Sequence, residues 1–284
     1  MTAELPESKS QAAAGIDWVK GGLIAFVVFY LSLLLFVPAA NVFYQAIQGG
    51  WPGMVKVLTS RLFLNALKLT LIATVISVPL NTIFGICAAL AIANKNFRGR
   101  TLLLSIIDLP FSISPVVAGL MLVLLYGNRG WFGPLLQAGG IKIIFAIPGI
   151  VMATIFVTMP FIAREVLPAL EENGTEQEEA AFTLGASPWQ TFWRVTLPSI
   201  KWSLLYGLIL CNARAMGEFG AVAVVSGNIT GKTQTLPLFI EESHTQYDNQ
   251  AAYTAALLLA CLAIVTLVLK YLLERNTAVR RTYH

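Results

Sequence analysis

Long stretches without a single charged residue dominate this chain, and short polar segments punctuate them. Residues 21–55, 69–94, 109–128, 143–163 and 249–269 each contain no Asp, Glu, Lys or Arg. A helix of ~20 residues crosses the ~30 Å hydrocarbon layer of a bilayer, where only helices and closed barrels satisfy their own backbone groups. Each run is therefore predicted to be a membrane-crossing helix. A sixth apolar segment, 202–225, is long enough as well, although it carries Asn212, Arg214 and Glu218. The pattern predicts an all-α integral membrane protein with about six transmembrane helices.

The punctuation orders these spans. Residues 1–17 are polar and Ala-rich without periodicity, which predicts a loose cytoplasmic tail. The apolar run behind them is too long for a cleavable signal peptide. Trp18 and Lys20 mark the interface before the first span, 21–44, so the membrane domain covers 18–274 and a basic tail, 275–284, follows it. Segment 47–61, with Gly49-Gly50-Trp51-Pro52-Gly53, reads as a turn-rich external loop. The second span, 63–92, holds Pro79 and Asn81, and a kink is expected there. The third holds Asp108, Pro110, Ser112, Ser114 and Pro115. Two prolines five residues apart break a helical ladder, which lipid tolerates only where protein or a polar cavity surrounds the break. The glycine-rich segment 129–142 is the next external loop, 143–162 the fourth span, and 226–248 the largest external loop.

Composition agrees: 56% of residues are hydrophobic and 12% charged, against roughly 25% charged in soluble domains. The net charge of +4 is no nucleic-acid footprint, because the positive residues follow topology. Lys9, Lys20, Lys95, Arg98, Arg100, Arg164, Arg194, Lys201, Lys270, Arg275, Arg280 and Arg281 fall on one side, and Lys56, Arg61, Arg129, Lys142 and Lys232 on the other. Twelve against five puts both termini in the cytoplasm by the positive-inside bias. Cys87, Cys211 and Cys261 sit inside spans at no metal-ligand spacing and read as small apolar residues. The two histidines, His244 and His284, lie in a loop and at the end of the chain, so no nucleophile–base pair or metal cluster suggests an enzyme.

Charged groups inside spans are costly and therefore informative. Arg214 and Glu218 are four apart on one helical turn and can neutralise each other as a structural pair. Alternatively, Arg214 with a neighbouring helix N-terminus biases a pathway toward anions. Asp108 is expected to pair with a base or to cap a broken segment. Ser114 and Asn212 complete the candidate intramembrane polar set.

Between the fourth and fifth spans, 171–199 is polar and carries start and stop signals for two short helices. Thr175 with Glu178 reads as a capping box, and Gly185 supplies the left-handed residue that ends that helix. Ser187-Pro188 with Gln190 restarts a second, and Pro198 is expected to stop it. Within this segment stand Glu179-Ala180-Ala181, then three residues, Gly185, nine residues, Val195, one residue, and Leu197-Pro198. That frame resembles the cytoplasmic EAA loop of ABC importer permeases, with Val195 where the family most often has Ile. In that family the loop inserts into a groove on the ATPase subunit. Here Ala180 and Ala181 lack bulk, so another surface can approach closely, and Glu179 offers a carboxylate to a basic group. An amphipathic connector lying on the bilayer is the plainer alternative.

Further segments narrow the likeness. Residues 214–221, Ser226-Gly227-Asn228 and Thr235-Leu236-Pro237 are similar to sulfate and molybdate permeases. Asp108-Leu109-Pro110-Phe111 with Ser114-Pro115-Val116-Val117-Ala118-Gly119 resembles the sulfate/thiosulfate group. Val224-Val225-Ser226-Gly227 and Tyr253-Thr254-Ala255-Ala256-Leu257-Leu258 look most like its W-type subunit. The resemblance implies an ABC importer permease fold of the methionine and molybdate type. It also implies a T-type sister permease, two ABC ATPase subunits, a periplasmic sulfate-binding protein and a bacterial inner-membrane location. Nucleotide and Mg would be bound by the ATPases, and none by this chain, which has no Gly-x4-Gly-Lys-Ser/Thr loop. Molybdate or tungstate is the alternative substrate, and a secondary anion transporter the alternative mechanism.

Overall fold

Several helix ends in this chain fall at glycines or just before a proline, whereas Pro38, Pro79, Pro110, Pro160 and Pro168 lie inside helices. In the computed structural model the described residues are 10–93 and 99–281, with side chains described for all of them except 10–17, 267, 269, 270 and 273–281. Along the chain come α1 (Ser10–Gln48), α2 (Gly50–Leu58), α3 (Arg61–Ala93), α4 (Arg100–Ser112), α5 (Pro115–Tyr126), α6 (Gly133–Ala138) and α7 (Ile147–Asn173). There follow α8 (Glu176–Thr183), α9 (Pro188–Thr191), a π-helical turn (Phe192–Thr196), α10 (Leu197–Met216), α11 (Gly220–Ser226), α12 (Leu236–Thr245) and α13 (Asn249–Arg281). The basic markers Lys9, Lys95 and Arg98 lie outside the described residues.

Four uninterrupted helical stretches are long and apolar enough to cross a bilayer: Trp18–Gln48, Arg61–Ala93, Ile147–Asn173 and Asn249–Thr266. The third and fifth expected spans are broken instead, α4 against α5 by 110° and α10 against α11 by 50°. Pro115 opens α5 and cannot continue the ladder of α4, while Gly217 and Phe219 part α10 from α11. Each broken pair nevertheless crosses from one end of the bundle to the other. Ile107 of α4 packs with Ala163 and Leu167 in the second half of α7, and Arg100 bridges to Glu171 at 2.7 Å. Leu122, Val123 and Tyr126 of α5 pack near Ile150, Val151 and Ala153 in its first half. The pair thus travels the length of α7, about 40 Å at 1.5 Å per residue. Likewise Gly207 of α10 faces Ile162 and Glu165, whereas Val225 of α11 faces Gly149.

α3 and α7 form the centre and run parallel. Ser77 Oγ donates to the Val151 carbonyl, Asn81 Nδ2 to Thr158 Oγ1 at 2.7 Å, and Gly85 abuts Ile162. α13 begins beside the start of α3, where Ala251 and Ala255 join Phe63 and Ala66, and α1 ends there too, its Ala46 carbonyl accepting from Gln250. Six crossings therefore leave α1 starting and α13 ending on the side that carries α8.

Several boundaries differ from the sequence reading. The expected loose tail is helical from Ser10, and α13 continues as helix to Arg281 through most of the second tail. Segment 47–61 is not a turn-rich loop: Gly50 (φ +67°) ends α1 and a nine-residue helix starts at once, with Pro52 in its first turn, where a missing N–H costs nothing. α6 interrupts the glycine-rich 129–142 segment, and α7 runs eleven residues beyond the predicted end at 162. The largest outer loop contains α12, whose first orphan N–H, on Leu236, donates to Thr70 Oγ1 of α3 at 2.8 Å. Lys68, which the charge count left unassigned, lies two turns into α3 from Arg61, toward the end opposite α8.

Candidate coupling and translocation sites

The 171–199 segment projects from the bundle as helix, corner, helix. The capping box expected at Thr175 is absent. Thr175 Oγ1 donates to Glu179 Oε1 at 2.7 Å, and Glu178 accepts from the Thr196 hydroxyl eighteen residues on. The second box forms as read: Ser187 Oγ accepts from Gln190 N, Gln190 Oε1 from Ser187 N, and Pro188 opens α9. At the corner Gly185 has φ +83°, its N–H donates to the Phe182 carbonyl, and Ala186 N–H donates to Ala181 O. These are the paired bonds of a Schellman motif, which satisfies carbonyls that a helix end leaves open.

Pro198 does not stop the second helix. The preceding turn widens to π geometry, with Leu197 N–H donating to Phe192 O, and the chain continues straight into α10. A proline ring clashes with the carbonyl four residues earlier, and the wider turn relieves that clash. The knuckle is thereby built rigidly onto a membrane span, and the Glu178–Thr196 bond ties α8 to the same junction.

None of α8 is buried. Ala180 and Ala181 floor a shallow cleft of about 560 Å³ whose rim carries Gln177, Leu184, Arg194, Val195 and Pro198. Glu179 is exposed next to it, Leu197 is half-buried at the base, and Leu184 is 88% exposed. Beside the cleft Trp189 stacks on Phe192 and both meet Trp193 edge to face, with Trp189 68% exposed. The sequence reading missed these aromatics, although their 3–4 residue spacing on a short polar helix was visible.

The intramembrane polar candidates divide into two groups. Arg214 Nη1 meets Glu218 Oε2 at 2.6 Å, and Glu218, 2% exposed, is the one buried charged side chain among the described residues. Glu218 Oε1 accepts from Ala221 N–H at 3.0 Å, so the carboxylate also serves the first turn of α11. The two therefore form an ion pair by distance, although Glu218 Oε2 gains no well-aligned hydrogen bond from it, and a third of the Arg214 side chain stays exposed beside a cavity that Ser114 also lines. Asp108 finds its base in Arg164, 2.8 Å away, whose guanidinium also lies over the Phe111 ring. Asn212 points elsewhere, toward Met216 Sδ.

Six crossings, two of them broken, with a rigid polar projection between the fourth and the fifth, give the chain the build of a membrane permease. Residues 81–279 match the family described as the binding-protein-dependent transport system inner membrane component, and the chain belongs to it. It is 64% identical over 262 residues to the sulfate transport system permease protein CysW of Synechococcus elongatus, covering 92% of both chains. To the sulfate transport system permease protein CysT of Escherichia coli it is 37% identical, over 84% of this chain and 86% of that one. Its fold is that of a chain in the crystal structure of a bacterial alginate ABC transporter with its periplasmic protein, with a TM-score of 0.76 at 20% identity, covering 95% of this chain and 98% of the other.

Proposed function

We propose that this chain is the W-type permease subunit of an ATP-driven importer for sulfate, with thiosulfate as a companion substrate. It forms half of the translocation pathway beside a T-type sister subunit. The observation that carries this reading is the 64% identity, over nearly the full length, to a sulfate permease subunit. The α8 knuckle, with Glu179, Ala180, Ala181, Gly185, Leu197 and Pro198, receives the motion of two ATPase subunits, which bind the nucleotide and Mg. The opposite end, with α2 and α12, faces a periplasmic sulfate-binding protein. In this reading the chain lies in a bacterial inner membrane with both termini in the cytoplasm, the side the knuckle also occupies. Binding-protein-dependent delivery and alternating inward and outward openings follow from two-state coupling of knuckle and spans.

The test is uptake of labelled sulfate by cells carrying the four-subunit system, with unlabelled thiosulfate and molybdate as competitors. Sulfate entry that thiosulfate suppresses and molybdate does not is the expected outcome. Entry of molybdate but not of sulfate refutes the substrate assignment.

A further inference from the structure

The break between α4 and α5 opens a chamber of about 250 Å³ lined by Phe111, Ser112, Ser114, Val157, Phe161 and Arg214. Val157 and Phe161 stand near the middle of the 27-residue α7, so the chamber is at mid-membrane depth. Water-exposed polar groups at this depth occur where they line a cavity with a purpose. Resting on the importer reading above, we infer that this chamber is a transit site for a tetrahedral oxyanion, held by the free edge of Arg214 and the hydroxyls of Ser112 and Ser114.

Three observations carry it. Glu218 engages one guanidinium nitrogen and is itself buried against α11, outside the chamber lining. The rest of the Arg214 fork has no protein acceptor among the described residues, and a guanidinium edge matches two oxygens of a tetrahedral anion. Neither Ser112 Oγ nor Ser114 Oγ has a protein partner among the described residues; Ser114 stands at the N-cap of α5 without capping it. Finally, Asp108, the carboxylate that would repel an anion, is paired with Arg164 and does not line the chamber. The Arg214–Glu218 pair is close to neutral as a whole, so the site holds a dianion weakly. Weak binding suits a pathway, where the ion must leave as readily as it enters.

The experiment uses the four-subunit complex in proteoliposomes with its delivering protein and labelled sulfate. The double variant Arg214→Gln/Glu218→Gln removes both charges without stranding a buried carboxylate. Sulfate imported per ATP hydrolysed is expected to fall at least about tenfold, the worth of one charge-assisted hydrogen bond, and about threefold in Ser112→Ala/Ser114→Ala. Import per ATP within about twofold of wild type in both variants overturns the site. If the charge-free double variant does not assemble, Arg214→Lys decides beside the serine variant: a point charge lacks the fork, and unchanged import in both overturns the proposal. A wild-type complex that imports no sulfate overturns the importer reading, and this site with it.

Discussion

Small residues mean opposite things in the α3–α7 centre and in the α8 knuckle. Along α3, Gly85 and Ala89 are covered: a Cβ on Gly85 would stand 2.6 Å from Ile162 Cβ, and Ala89 is fully buried. Their lack of bulk is used within the chain, to bring two backbones together as small residues do between membrane helices. Ala180 and Ala181 also lack bulk, yet among the described residues Ala180 stays exposed and Ala181 is only partly covered, at an open cleft. In the proposed function, the unfilled space around these small residues on an exposed helix is where the ATPase subunit fits. The contrast separates small residues that hold the permease together from small residues that leave an open surface.

The largest effect is expected where the space is already filled. Gly85→Leu drives a branched side chain into Ile162 Cγ2 and the Ala163 backbone, 2.7 and 3.0 Å from the first added carbon. Overpacking of this kind costs about 3 kcal/mol or more when backbone must move. The detergent-solubilised subunit should lose its thermal transition or accumulate poorly in membranes. A normal melting curve would mean that α3 and α7 are less closely packed than described.

Ala180→Leu is the matching change in the knuckle, and its expected signature is reversed. The exposed position can take the side chain without displacing anything, so the melting curve should stay within about 0.5 kcal/mol of wild type, as for ordinary surface changes. Sulfate uptake and the ATPase stimulation that accompanies it should drop at least about tenfold if the cleft is where the ATPase subunit fits. Equal losses of stability and uptake would erase the distinction between the two regions.

In both regions the sequence shows what is decided locally and hides what is decided at a distance. The uncharged runs located the spans because exclusion of charge from lipid is a local property of each segment. The knuckle corner was legible for the same reason: Gly185 and the Ser187–Gln190 box act within three residues. What escaped was decided at a distance. Glu178 was read as half of a local box, but Thr196, at the foot of α10, takes its carboxylate. Pro198 was read as a stop because its clash is local, whereas the relief is a π turn that α10, anchored on α7, makes worthwhile. The parallel course of α3 and α7, the 110° elbow, and the pairing of Asp108 with Arg164 fifty-six residues away are tertiary facts. For the same reason the α2 and α12 helices looked like loops, since their glycines and prolines serve helix ends rather than turns.

A smaller effect is expected at the corner itself. Gly185 adopts φ +83° with no atom within 4 Å of an added Cβ, so Gly185→Ala pays only the backbone penalty of the left-handed region. That is about 1 kcal/mol. The spans should melt as in wild type, while uptake falls severalfold because the angle between α8 and α9 loosens. Unchanged uptake would show that the partner tolerates a mobile corner and that rigidity is not what the motif supplies.

The smallest effect tests whether the polar groups of the centre are as important as its small ones. Asn81 Nδ2 donates to Thr158 Oγ1 at 2.7 Å and to the Ile155 carbonyl at 3.2 Å, and Thr158 in turn donates to Thr154 O. In water-soluble cores such a buried network is often costly to break, because the groups left behind lose solvent entirely. Within a membrane the unfolded reference also finds partners, and one interhelical hydrogen bond is worth about 0.6 kcal/mol. Asn81→Leu keeps the branching of the side chain, the cycle cancels the cost of its bulkier methyl groups, and Thr158 retains its own bond to the i−4 carbonyl, so no buried donor is orphaned. The expected loss is therefore under about 1 kcal/mol by a double-mutant cycle with Thr158→Val. A coupling energy approaching the cost of Gly85→Leu would reverse the ranking: hydrogen bonding, rather than close approach of backbones, would then be what fixes α3 against α7.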